Sequence, residues 1–166
     1  MKALKWVLRV LPALYMAAIF IQSSLPSDHF VKLPDSNIDH TIKESLHLIE
    51  FAILYVLLVL AFLTFRRGEK AESSVASEGD RTVKNVTVAS FSFTPGWNLA
   101  CALFAAFYGI SDEIHQSFYP YRSASLFDLV KDFLGISVSY YFIRGALFKG
   151  KFAGLAKLLG RVRSVS

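Results

Sequence analysis

Four stretches of this chain are long and apolar enough to cross a bilayer, and no other feature restricts the fold as strongly. They lie at about residues 6–22, 45–65, 97–118 and 124–143. At 1.5 Å of rise per residue, helices of these lengths reach across roughly 30 Å of hydrocarbon. Residues 10–21 of the first carry no charge, and the second is almost wholly Leu, Ile, Val, Ala and Phe after Glu50. The third opens at Trp97, after the break at Pro95 and Gly96, and stays apolar to Ile110. The fourth contains Asp128, Lys131 and Asp132, so it suits a bilayer only inside a bundle. Composition agrees. Hydrophobic residues make up 54% of the 166 and charged residues 19%, too few to cover the surface of so short a soluble chain. Aromatics at 14% exclude disorder, and the one cysteine, Cys101, has no internal disulfide partner.

The first segment follows Lys2 and Lys5 as a signal peptide would. Arg9 and Pro12 early in the segment, the lack of a small-x-small cleavage site and three later spans make it an uncleaved helix. Loop charges then set the orientation. Lys2, Lys5 and Arg9 open the chain; Lys32 and Lys43 separate the first two spans; Arg66, Arg67, Lys70, Arg81 and Lys84 separate the second and third. Only Arg122 stands between the third and fourth, and six basic residues from Arg144 to Arg163 follow the last. This alternation places both termini and the middle loop in the cytoplasm. The net charge of +5 therefore reads as membrane orientation and not as nucleic-acid binding. The expected protein is an all-α membrane protein: a four-transmembrane-helix bundle over residues 1–145, with a cytoplasmic loop at 66–96. Part of that loop, 82–93, has the Val, Thr and Phe content of a short strand or an interfacial segment. Residues 149–166 form a basic amphipathic tail, with Phe152, Leu155, Leu159 and Val162 at helical spacing, suited to an anionic inner leaflet.

The chemistry lies in ionisable groups inside these spans. Glu44, His47 and Glu50 stand three apart in the first turns of the second span, near one face. Asp112, Glu113 and Gln116 occupy the last turns of the third, while His115 beside them points elsewhere. Asp128 and Asp132 are one turn apart in the fourth, and Asp132 is about 12 Å below its start. Topology brings all three patches to the outer half of the membrane. Each charge there costs on the order of 2.5–3.5 kcal/mol, so the groups should face inward and pair. The six carboxylates outnumber the nearby cations Lys43, His47, Arg122 and Lys131. The excess calls for protonation, a polar ligand or a divalent cation held by His47, Glu50, Asp112 and Asp128. Gly109 and Gly135 read as close-packing positions between helices.

These residues resemble the VanZ-like family. The resemblance rests on Gln22, Ser23 and Ser24 before Pro26, on His47 and Glu50 as His-x-x-Glu, and on Tyr108, Gly109, Asp112, Glu113 and Gln116 as Tyr-Gly-x-x-Asp-Glu-x-x-Gln. It continues in Arg122, Ser125 and Asp128 as Arg-x-x-Ser-x-x-Asp, with Gly135 beyond, and covers about residues 22–141 apart from the middle loop. Where the family commonly has Asn, this chain has Asp132, which donates no hydrogen bond unless protonated. The resemblance implies a bacterial cell membrane, and a link to resistance against the glycopeptide antibiotic teicoplanin, which acts on cell-wall precursors outside the membrane.

Three functions fit such a patch. One is a module that binds or shields a lipid-linked cell-wall precursor or other envelope lipid. Another is an intramembrane enzyme on such a substrate, using acid–base or metal chemistry. The third is a polar network that only holds helices together. His47, Glu50, Asp112, Glu113 and Asp128 are the candidate catalytic residues; Ser23, Ser24, Gln116, Arg122, Ser125 and Asp132 are the candidate ligand-binding ones. Arg122, at the water boundary, would meet a phosphate or carboxylate.

Overall fold

The structure, a computed structural model, describes residues 2–25, 36–65, 93–120 and 125–164, with the side chains of 2, 36–47, 163 and 164 left aside. The described residues form five helices and no strand: α1 (Lys2–Ser23), α2 (Ser36–Leu63), α3 (Pro95–Gln116), α4 (Leu126–Phe148) and α5 (Ala153–Ser164). The expected strand or interfacial segment and most of the middle loop, residues 66–92, lie outside the described residues, as do Arg122 and the side chain of His47.

Local chemistry sets several boundaries. Thr94 caps α3, its hydroxyl accepting from the Trp97 N–H, and Pro95 supplies a preset φ where no helical N–H is needed. Ser125 caps α4 through the Phe127 N–H at 3.1 Å. α2 begins nine residues before the apolar run read at 45, because Ser36 is the second residue after Pro34 and no Gly or Pro follows within the helix. α4 runs on past 143 to Phe148, and the chain then turns at Gly150, whose φ of +63° lies in the left-handed region.

α2 is the central helix and packs against every other helix, most extensively against α4. Phe51, Leu54, Tyr55 and Val59 on α2 are completely buried, with Ile19, Ala105, Ile136 and Ile143 packed around them. Gly135 permits the α2–α4 crossing, since a Cβ there would run into the backbone carbonyl of Leu48. α5 turns Leu159 fully inward and Leu155 and Val162 partly so, and packs on α4 and α2. Its apolar stripe thus meets the bundle, leaving Lys157 and Arg161 outward.

Among the described residues, Ala3–Ser23 is the one stretch long and apolar enough to cross a membrane on its own terms, and Leu48–Leu63 is a shorter apolar helix. α3 and α4 carry Asp112, Glu113, Asp128, Lys131 and Asp132 along their lengths, which lowers their hydropathy. Even so, Leu103, Phe107 and Ile114 of α3 and Leu126, Phe127 and Val130 of α4 point outward.

Candidate functional site

The end of α1 meets the last turns of α3 in a buried polar knot. Asp112 accepts a 2.6 Å hydrogen bond from the Ser23 hydroxyl on Oδ1 and a 2.7 Å bond from Gln116 Nε2 on Oδ2. Gln116 Nε2 is also 3.3 Å from Ser23 Oγ, closing a triangle whose three members are at most 5% exposed. The i,i+4 spacing of Asp112 and Gln116 stacks them on one face of α3, and Ser23 reaches them because α1 ends at that level. Among the described residues the partners of Asp112 are neutral, so they orient the carboxylate without cancelling its charge.

The neighbouring serine makes a second tie. Ser24 Oγ lies 3.0 Å from His115 Nε2 and donates to the Phe20 carbonyl at 2.8 Å. A hydroxyl has one hydrogen, so with that hydrogen on the Phe20 carbonyl the ring nitrogen donates to Ser24. His115 stacks on Phe20 at 4.3 Å between centroids and meets Tyr119 edge-on at 5.1 Å. His115, which sequence reading turned away from the site, is part of it.

Glu113 does not share the Asp112 knot. Its Oε2 accepts from the backbone N–H of Ser125 at 3.1 Å, tying α3 to the start of α4. Ser125 therefore serves both ends of that junction, with its N–H to Glu113 and its hydroxyl to the α4 cap. Asp128 pairs with Lys131, one turn along the same helix, at 3.0 Å. Asp132 is 1% exposed, and its carboxylate and the Phe51 ring both lie beside Gly109, within contact of where a Cβ would sit. The carboxylates of Glu113, Asp112, Glu50 and Asp128 are all within electrostatic reach of Asp132. Glu50, half-buried on α2, is also within such reach of Tyr15 on α1 and Tyr108 on α3. The predicted acidic residues of α2, α3 and α4 are thus linked electrostatically through Asp132, while their hydrogen bonds run to different partners. No three His, Cys, Asp or Glu side chains among the described residues are grouped so as to hold a metal ion.

Beside the knot, a groove of about 430 Å³ runs between α1 and α3, lined by Phe20, Tyr108, Ser111, Asp112, Ile114, His115 and Phe118. Sequence reading named Asp112 alone of these as a site residue. The signal for His115 was its position three after Asp112, which puts both near one side of α3. The aromatic wall had no such signal, because Phe20 and Phe118 come from different helix ends that only the fold brings together.

Among the described residues, the bundle and its knot are all-α, with one clear membrane-capable helix and a buried carboxylate at one end. The VanZ/LLP1 family model matches residues 8–149, nearly the whole chain, and the chain belongs to that family. No curated protein and no solved structure matches it.

Proposed function

We propose that this chain is a multi-pass protein of the bacterial cell membrane that binds, and thereby shields, a lipid-linked envelope component at the α1–α3 groove. Through that component it changes susceptibility to glycopeptides such as teicoplanin. In this reading α1 to α4 all span the bilayer with both termini in the cytoplasm, so the knot lies in the outer half. Support comes from helix length, since 22 or 23 residues span about 33–35 Å. It also comes from large outward-facing apolar residues on α1, α3 and α4, which water would disfavour and lipid would cover. The alternation of loop charge supplies the orientation.

The observation that carries the binding role is the groove floored by Asp112, a carboxylate buried among neutral donors beside an open aromatic channel. A second reading, an intramembrane acid–base enzyme on the same class of lipid, draws on the four carboxylates within electrostatic reach of Asp132.

Two measurements test the proposal. In a Cys101→Ala background, single cysteines at Asp35 and Tyr121 should react with an impermeant thiol reagent in intact cells, and one at Ser77 should not; the reverse pattern would overturn the orientation. Asp112→Asn should abolish whatever change in glycopeptide susceptibility the wild-type chain confers, with the protein still folded and inserted. A fully active Asp112→Asn protein would remove the groove from the function. Conversion of a lipid-linked substrate by purified protein, lost in Asp128→Asn, would favour the enzyme over the shield.

A further inference from the structure

Resting on the reading of the groove as a lipid site, the hydrogen-bond inventory points to the chemistry of its occupant. Every polar hydrogen that the described geometry accounts for in the groove is already given away. The Ser111 hydroxyl donates to the Tyr108 carbonyl at 2.7 Å, and the Tyr108 hydroxyl donates to the Met16 carbonyl at 2.7 Å. The His115 Nε2 hydrogen goes to Ser24, because the Ser24 hydrogen goes to Phe20. What remains among the described lining residues is a set of acceptors: lone pairs on the two hydroxyls and the carboxylate of Asp112. Aromatic faces of Phe20, Tyr108 and Phe118 complete the lining, and among the described residues no Lys or Arg is part of it.

Acceptors, one negative charge and π faces, with donors spent, select a cation rich in N–H groups. A primary ammonium has three donors and a positive charge, so it fits both the lone pairs and the rings. A phosphate or carboxylate would meet the Asp112 carboxylate with no free donor among the described lining residues to receive it. The occupant's remainder is apolar, since the groove is bordered by the outward-facing Ile114 and Phe118, 55% and 77% exposed. We propose that the α1–α3 groove binds the primary ammonium of an aminophospholipid headgroup, with Asp112 as its counter-ion and Phe118 as a π wall.

The test uses the full chain purified in dodecyl maltoside and offered equimolar dioleoyl phosphatidylethanolamine and dioleoyl phosphatidylglycerol, with retained lipid counted by native mass spectrometry. Phosphatidylethanolamine should be retained at least fivefold over phosphatidylglycerol. Asp112→Asn should abolish that preference. Phe118→Leu keeps an apolar wall but removes the π face, and should reduce phosphatidylethanolamine retention about threefold while leaving phosphatidylglycerol unchanged. Because Phe118 is exposed, this variant should fold even if Asp112→Asn does not. Equal stabilisation by tail-free glycerophosphoethanolamine would overturn the lipid as the source of the ammonium. Preferential retention of phosphatidylglycerol, lost in Phe118→Leu, would overturn the ammonium and leave the groove a lipid site. Retention of neither lipid would overturn the lipid-site reading and this inference together.

Discussion

The two ends of the bundle each hold a charged side chain in a polar setting, and they treat it in opposite ways. At one end, Arg9 of α1 donates through Nε to Thr64 Oγ1 at 3.1 Å and through Nη2 to the Thr64 carbonyl at 2.5 Å. Thr64 itself donates to Ala61, and the guanidinium lies 4.2 Å from the Phe65 ring centroid and 5.7 Å from that of Trp6. A cation at the C-terminus of α2 is favoured by the helix dipole and gives donors to carbonyls that have no partner within the helix. The fold uses that charge completely. At the other end, Asp112 sits in the last turns of α3, where the dipole opposes a negative charge. Its described partners, Ser23 and Gln116, are neutral. The first charge closes a helix end, while the second group is oriented by neutral partners among the described residues.

That contrast can be broken at either end. The largest effect on stability is expected at Arg9. Arg9→Met keeps much of the stem packing but removes the charge-assisted bonds, and should destabilise the protein by about 2–3 kcal/mol. A clear fall in the detergent melting temperature would show this; an unchanged melt would mean that the Arg9 contacts contribute nothing and that the contrast is false. A smaller effect belongs to Ser125, which serves the junction between the ends of α3 and α4. Ser125→Ala loses the α4 cap but keeps the backbone N–H to Glu113, so it should cost about 1 kcal/mol. A much larger loss there would assign the hydroxyl a role beyond capping.

Parts of this arrangement are legible in the residues alone. The apolar bodies of the helices are, because hydropathy alone marks them. The start of α2 at Ser36 is not, since a polar helical extension carries no hydropathy signal and is bounded only by Pro34. The pairing of Asp112 with Gln116 follows from helical spacing, which is a local property. Glu113, on the same reading, belonged with them, yet it turns to the Ser125 N–H because α4 begins there. His115 is the clearest case. A helical wheel gives the faces of α3 but says nothing about which face α1 covers, so the tie from His115 to Ser24 and Phe20 is visible only in the packed bundle. Burial of Asp132 beside Gly109 also depends on packing, namely on the close approach of α2, α3 and α4.

Whether Asp112 serves the fold or a ligand is tested most directly by one comparison of melting curves. Asp112→Asn and Arg9→Met should be purified in the same detergent, stripped of lipid and melted beside the wild type. Asp112→Asn removes a buried charge that its described partners do not neutralise and keeps the side chain's shape, and both Ser23 and Gln116 can re-pair with an amide. It should melt at or above the wild-type temperature while Arg9→Met melts well below it. If Asp112→Asn instead fell as far as Arg9→Met, the carboxylate would be a structural tie like the guanidinium, and the groove beside it would have no claim to be a binding site.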